Sequence, residues 1–430
     1  MGMNHEKGIE NVDKMATVLE KMYHHRQAKP TVKSEELYYK YMSDYYRKIV
    51  TAKAEGKFIA GHTVFSPIEI FFAMDIVPMH LESTSGTLAI LTNRYAEFLD
   101  GARAFGLTPE CCSAHRILAA SFFLKELPPP DFIVWTSQAC DNTTKSGDAL
   151  LDLYQIPGFF LDRPYRFVPH QVDYYVKQMK NLIAFLEDKT GNKMDYDRLR
   201  AIVNNSLRVM NIYHEVYELR KAIPAPMRNR SFMNQMIIEW AYCGTDEGVE
   251  WFETVKGEIE ENVKRKKGAV AEERYRLLSL FLPPMYENKL LDWMEREYGA
   301  AIVMDPMSSW PHQVHLETDD PVEGVARLAF YRTASNLLHG PGDVFIKDAL
   351  RNAKEFNVDA ALFFAHIGCR QACACIRAVK DELQDKLDLP VAVIDCDLVD
   401  KSFTSTEEVK GKLEEFFERM EEKKGIGVRN

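Results

Sequence analysis

The cysteines of this chain carry its clearest chemical signal. In the stretch DAALFFAHIGCRQACAC, residues 359–375, the five apolar residues Ala360 to Phe364 read as a short strand buried on both faces. His366, Ile367, Gly368 and Cys369 follow, where such a strand turns into a helix. In open α/β sheets, ligands and reactive groups collect just beyond the carboxyl ends of the strands. Cys369, followed by Arg370 and the Cys373/Cys375 pair, is therefore a candidate metal-cluster ligand. CCSAHR at Cys111 and DFIVWTSQACDNTTK around Cys140 have the same character. Each thiol alone reads equally well as a small buried apolar residue. Three in the same context point to ligation, and three thiolates leave one iron of a four-iron cluster open to a substrate oxygen or sulfur.

Of the adjacent pair, Cys112 is the candidate, because Ser113 follows directly and Arg116 comes soon after. The helix formers HRILAASFFLKEL then place it near a helix N-terminus, where the dipole favours thiolate. Cys373 and Cys375 fit no common cluster spacing and are read as structural, as is Cys243. Glu82 is a second kind of candidate. It ends the apolar run Val77 to Leu81, so its carboxylate is either an acid–base group or a surface cap on the segment STSG. No GxSxG, Walker A, GxGxxG or HExxH motif competes.

The elements that must position these residues are short strands alternating with helices. Phe58–Phe65, Val77–Leu81, Phe132–Thr136 and Pro157–Asp162 read as strands of one parallel sheet, with Pro67 in the first turn of a helix. Residues 170–290 carry a charged helical pattern, and Ala300–Met304, Asp359–Phe364 and Val391–Asp395 read as strands of a second sheet. The expected fold is α/β, with two small doubly wound, Rossmann-like parallel-sheet domains and a helical insertion. The expected division is an N-terminal helical segment at 1–56, a first α/β cluster-binding domain at 57–170, a helical region at 171–290 and a second α/β domain at 291–430.

Composition narrows the function. The 430 residues are 46% hydrophobic and 27% charged, as in a globular protein of more than one domain. A net charge of −10 argues against nucleic-acid binding. No apolar run is long enough to span a bilayer and the N-terminus lacks a signal-peptide core, so a cytoplasmic protein without a membrane partner is expected. In that compartment eight cysteines are metal ligands or buried thiols rather than disulfides.

Taken together, Pro67 and Glu82, CCSxxR, a strand ending in CD with Lys145 beyond, and a late strand–GC–helix followed by DCDLVD resemble the 2-hydroxyacyl-CoA dehydratase and benzoyl-CoA reductase family, from about residue 50 to 425. That resemblance implies two related subunits, each holding a [4Fe-4S] cluster by three cysteines, here Cys112, Cys140 and Cys369. It implies an acyl-CoA substrate, a separate ATP-hydrolysing iron–sulfur activator protein and a ketyl-type radical. The family's proposed catalytic acid falls on Glu82, fifteen residues after Pro67. The sequence departs from the dehydratase pattern at Val64, where a serine is typical, and with SQAC and HIGC in place of NNIC and NRSC. MDIVPMHLE, GVEWF with ERYRL, LPP at 282–284 and DCDLVD are closer to benzoyl-CoA reductase subunits. The expected function is reduction of an aromatic or conjugated acyl-CoA. The alternatives are a subunit of an (R)-2-hydroxyacyl-CoA dehydratase and a partner subunit that only relays electrons.

Overall fold

A computed structural model describes residues 6–138, 140–287, 289–309, 316–332, 334 and 338–424. In chain order the elements begin with α1 (Glu6–Ala28), α2 (Lys33–Thr51), β1 (Ile59–His62), α3 (Ile68–Ala73), β2 (Val77–His80) and α4 (Leu81–Thr92). Next come α5 (Tyr95–Ala104), α6 (Ser113–Phe123), β3 (Phe132–Thr136), α7 (Asp141–Tyr154) and β4 (Gly158–Leu161). The helices α8 (Pro169–Thr190), α9 (Tyr196–Leu219), α10 (Ser231–Tyr242) and α11 (Asp246–Lys264) follow. The last part holds β5 (Tyr275–Ser279), α12 (Lys289–Tyr298), β6 (Ala300–Met304), α13 (Pro321–Tyr331), α14 (Gly342–Glu355), β7 (Ala360–His366), α15 (Arg370–Leu387), β8 (Val391–Cys396) and α16 (Thr406–Lys424).

The chain separates into two compact units. The first comprises residues 1–216, 233–258 and 310–341, the second 217–232, 259–309 and 342–430. Each is built on a four-stranded, all-parallel sheet, ordered β2-β1-β3-β4 in the first and β6-β5-β7-β8 in the second. The doubly wound α/β expectation is met in both. In each sheet the first strand lies between the second and third, so the connections leave in opposite directions. That reversal opens a crevice at the carboxyl ends of the two central strands.

Burial explains why these runs are strands. FIVWT of β3 and AALFFAH of β7 are buried at every position, the pattern of a parallel strand covered on both faces. Expected and observed bounds differ at strand ends. The first strand spans only Ile59–His62, because the chain turns after it and reaches Phe65 in the left-handed region at φ 60°. The second stops at His80, and Leu81 and Glu82 open α4. Strand β5, YRLLS, lies within the stretch read as helical. Its Arg276 hid it from a reading based on apolar runs. In the fold that side chain is 6% exposed, ion-paired with Glu273 at 2.7 Å and hydrogen-bonded to the Phe356 carbonyl at 2.8 Å.

In the first unit, α7 packs close on β3 because Gly147 faces Trp135. A Cβ at Gly147 would stand 2.6 Å from the indole. Also in that unit, Glu69 of α3 and Arg332 form a buried ion pair at 2.5 Å, with side chains 1% and 5% exposed. The Ser206 hydroxyl donates to the same carboxylate oxygen at 2.8 Å. Removing one partner of such a pair strands the other charge. Glu69→Gln, which keeps shape but removes the charge, is expected to lower unfolding free energy by about 3–5 kcal/mol. Adding Arg332→Met should recover much of that loss in chemical denaturation. A Glu69→Gln cost below about 1 kcal/mol would show that the pair is not holding a buried charge.

Candidate active site

The first unit gathers several chemically capable groups at the carboxyl ends of β1 and β2. The parallel register pairs His62 with His80, the last residue of each strand. Beyond β1, the Val64 backbone N–H donates to Glu82 Oε1 at 3.2 Å. Glu82 is in the first turn of α4, but it does not cap that helix from the surface. His80 is the N-cap, its Nδ1 accepting from the Ser83 N–H at 3.0 Å. The Glu82 side chain is 8% exposed. Its Oε2 is buried with no hydrogen-bond partner. Burial raises its pKa to about 7, against the lowering by its backbone hydrogen bonds. Burial thus favours the protonated form of this carboxyl.

Val64, which occupies the position where a serine was typical, is the residue whose N–H meets Glu82. Two features singled out separately in the sequence are therefore neighbours.

Cys112 and Cys140 stand at the N-caps of α6 and α7, two helices that pack on each other. Unpaired N–H groups at a helix start favour a thiolate. Cys140 Sγ accepts from the Asn142 N–H at 3.3 Å. Its thiol lies 3.8 Å from His115 Nε2. His115 Nδ1 pairs with Ser146 Oγ at 2.9 Å, while that hydroxyl donates to the Asn142 carbonyl. The His115 Nδ1–H is then the donor to Ser146, and its Nε2 lone pair faces the Cys140 thiol. Burial holds His115 down to about 4 and pushes the Cys140 thiol up, the Asn142 N–H opposing the latter. Cys140 is thus a thiol whose thiolate needs a cation beside it.

In the second unit Cys369 is the N-cap of α15, directly after β7. Cys140 after β3 and Cys369 after β7 occupy equivalent places in two sheets of the same strand order. Cys112, Cys140 and Cys369 are all partly exposed, whereas Cys243 and Cys396 are buried. Cys243 is pushed up to about 12, chiefly by burial. The Cys373 thiol donates to the His366 carbonyl at 3.1 Å, and Cys396 lies 3.4 Å from His366 Nδ1. Among the described residues no group of three or more His, Cys, Asp or Glu side chains is placed to hold a metal ion. Thiols at helix starts, Cys112 and Cys140 in the first unit and Cys369 in the second, are the donor type that iron–sulfur clusters take.

The reading of the sequence missed His62, His80 and Trp240. Trp240 stacks on the His80 ring at 4.8 Å and 7°, and His62 meets that ring edge-on at 5.0 Å and 83°. The one local signal was a histidine at the end of two successive strands, in IAGH and VPMH.

No helix among the described residues is long and apolar enough to cross a membrane. The sequence matches the 2-hydroxyglutaryl-CoA dehydratase, D-component family over residues 63–420. It is 26% identical to a benzoyl-CoA reductase subunit of Thauera aromatica over 320 residues, covering 70% of this chain and 72% of that protein. It is 21% identical to the (R)-phenyllactyl-CoA dehydratase alpha subunit of Clostridium sporogenes over 385 residues, covering 87% and 92%. A third relative, the (R)-2-hydroxyisocaproyl-CoA dehydratase alpha subunit of Clostridioides difficile, is 22% identical over 404 residues, covering 90% and 95%. With the match running through both units, from the strand end beside Glu82 to the last helix, the chain belongs to the 2-hydroxyglutaryl-CoA dehydratase D-component family.

Proposed function

We propose that this chain is the iron–sulfur subunit of an ATP-activated, low-potential enzyme that reduces an aromatic or conjugated acyl-CoA, in the manner of benzoyl-CoA reductase. The observation that carries the reading is Glu82, a buried carboxyl with one unpartnered oxygen, met by the Val64 backbone and by no hydroxyl side chain there. An electron added to the thioester-conjugated system gives a ketyl-type radical anion, which is strongly basic. Glu82, neutral up to about pH 7, is the group that quenches it with a proton. Cys112, Cys140 and Cys369 would hold a [4Fe-4S] cluster, which when bound supplies single electrons at low potential. The proposal includes a cytoplasmic enzyme with an ATP-hydrolysing iron–sulfur activator and a related second subunit, the last supported by the relatives' being named as subunits. A second reading, loss of water from an (R)-2-hydroxyacyl-CoA, is favoured by the relatives named as dehydratase alpha subunits.

Protein reconstituted anaerobically should hold about four irons per chain. Cys112→Ala, Cys140→Ala and Cys369→Ala should each lose most of that iron, and Cys243→Ala should keep it; iron retained in all three would remove the ligand assignment. Glu82→Gln should keep iron and fold while turnover drops by roughly 10²-fold. Because the folded pKa of Glu82 is raised, its proton is present below about pH 7 and lost above it, so wild-type turnover should fall as pH rises through that value. A flat profile with an active Glu82→Gln would mean that this carboxyl gives no proton. Product analysis decides between the two reactions. Benzoyl-CoA converted to a dienoyl-CoA supports reduction, and a 2-hydroxyacyl-CoA converted to its enoyl-CoA with only catalytic electrons supports dehydration.

A further inference from the structure

Four polar atoms around Glu82 are buried without a hydrogen-bond partner: Glu82 Oε2, His80 Nε2, His62 Nε2 and Trp240 Nε1. Such orphans are uncommon in folded proteins and call for a reason. The hydrogen bonds made by the other ring nitrogens fix both histidine tautomers. A backbone N–H only donates, so the Ser83 N–H requires a lone pair on His80 Nδ1, and the neutral ring carries its proton on Nε2. A carbonyl only accepts, so the Thr63 oxygen, 3.3 Å from His62 Nδ1, requires the proton there and leaves a lone pair on His62 Nε2. The unpartnered Nε2 atoms of these neighbouring rings are thus complementary, one an N–H and the other a lone pair.

The consequence falls on Glu82. Its Oε2 lies 3.6 Å from His80 Nδ1, too long for a formed hydrogen bond but well within charge contact. That nitrogen presents a lone pair already engaged by Ser83. Against it a carboxylate oxygen is repelled, whereas a protonated oxygen is not. The opposite tautomer would aim an N–H at Oε2 and stabilise the carboxylate.

We propose that His80 is a positioning residue: the Ser83 amide locks it in the Nε2–H tautomer, and its Nδ1 lone pair favours the protonated form of Glu82. This rests on the reading of Glu82 as the proton donor. The groups facing His80 agree with a neutral ring. They are His62 from β1, Glu82 from α4, the Tyr45 hydroxyl from α2, which accepts the His80 backbone N–H at 2.8 Å, and more distantly His115 from α6. His80 is 2% exposed and burial holds its pKa well below the usual value, as it holds His62 at about 3 with Arg332 adding to the effect.

The test uses the purified full-length chain and needs no turnover. Histidine ¹⁵N resonances, assigned for His80 by their loss in His80→Ser, should report an unprotonated Nδ1. Infrared titration, with Glu82→Gln identifying the band, should show the Glu82 carboxylic-acid carbonyl stretch persisting to about pH 7. Two variants should lower its midpoint by about one pH unit or more. His80→Ser keeps an N-cap oxygen but removes the ring. Ser83→Pro removes the locking N–H at a first-turn position that tolerates proline. Circular dichroism confirms that each variant is folded. An Nδ1–H tautomer at His80, or a midpoint unmoved in both folded variants, overturns the proposal while leaving Glu82 as a donor. Absence of the acid band in the wild type overturns both. The expected shifts together with full turnover in Glu82→Gln would uphold the histidine lock and overturn the catalytic role.

Discussion

The parallel pairing of β1 with β2 is the constraint on which the Glu82 site depends. Strand β1 is four residues long and wholly buried, and its register against β2 sets His62 opposite His80. A slip of one residue would turn each side chain to the other face of the sheet. The pairing is held from the far side too, where β1 pairs with β3. Gly61 belongs to this fit, since a Cβ there would stand 2.7 Å from Pro130. Once the register is set, β1 ends at His62 and β2 at His80. The residues two places on in each chain segment, Val64 and Glu82, are then brought within hydrogen-bonding distance.

The two units repeat one topology without repeating a sequence. In each sheet the third strand in chain order is central and ends at the crevice where the connections diverge, and each such strand is followed by a cysteine at a helix N-cap. Strand order is a property of backbone pairing and of the handedness of crossovers, so it persists when helix number and side chains change. What remains comparable is the geometry: a buried parallel strand, a turn, a thiol and a helix start. A thiol in that place meets backbone N–H groups from its own helix, as Cys140 meets that of Asn142 at 3.3 Å.

How far the sequence spoke for the structure follows from the range of the interactions involved. The strands β3 and β7 and the helix starts at Cys112, Cys140 and Cys369 were legible because each is signalled within about ten residues: an apolar run, then capping types or helix formers. Strand β5 was not, because Tyr275 and Arg276 interrupt the apolar pattern. The partners that allow the buried arginine, Glu273 and the Phe356 carbonyl, are visible only once the sheet is formed. The same holds at the site. Glu82 was legible as a carboxylate near a strand end, but its burial, its hydrogen bond to Val64 and the histidines around it depend on pairing between separate strands and on Trp240, far along the chain. Beyond the terminal histidine that it shares with IAGH, nothing local distinguishes VPMH from any other short strand.

Two glutamates of the first unit show how the surroundings, more than burial itself, decide what a carboxyl does. Glu69 and Glu82 are both buried, and each begins a short segment after a strand of the same sheet. Glu69 meets the Arg332 guanidinium at 2.5 Å and the Ser206 hydroxyl at 2.8 Å, so its charge is matched where it lies and it serves the fold. Glu82 meets backbone N–H groups, that of Val64 among them, and its other oxygen lies 3.6 Å from His80 Nδ1. With no cation paired to it among the described residues, the cheaper state for this buried carboxyl is the neutral one. A protonated carboxyl left without a firm acceptor for its hydrogen is a proton donor in waiting, whereas an ion-paired carboxylate is a strut. The same residue type thus serves structure at one position and chemistry at the other, and the difference is one arginine.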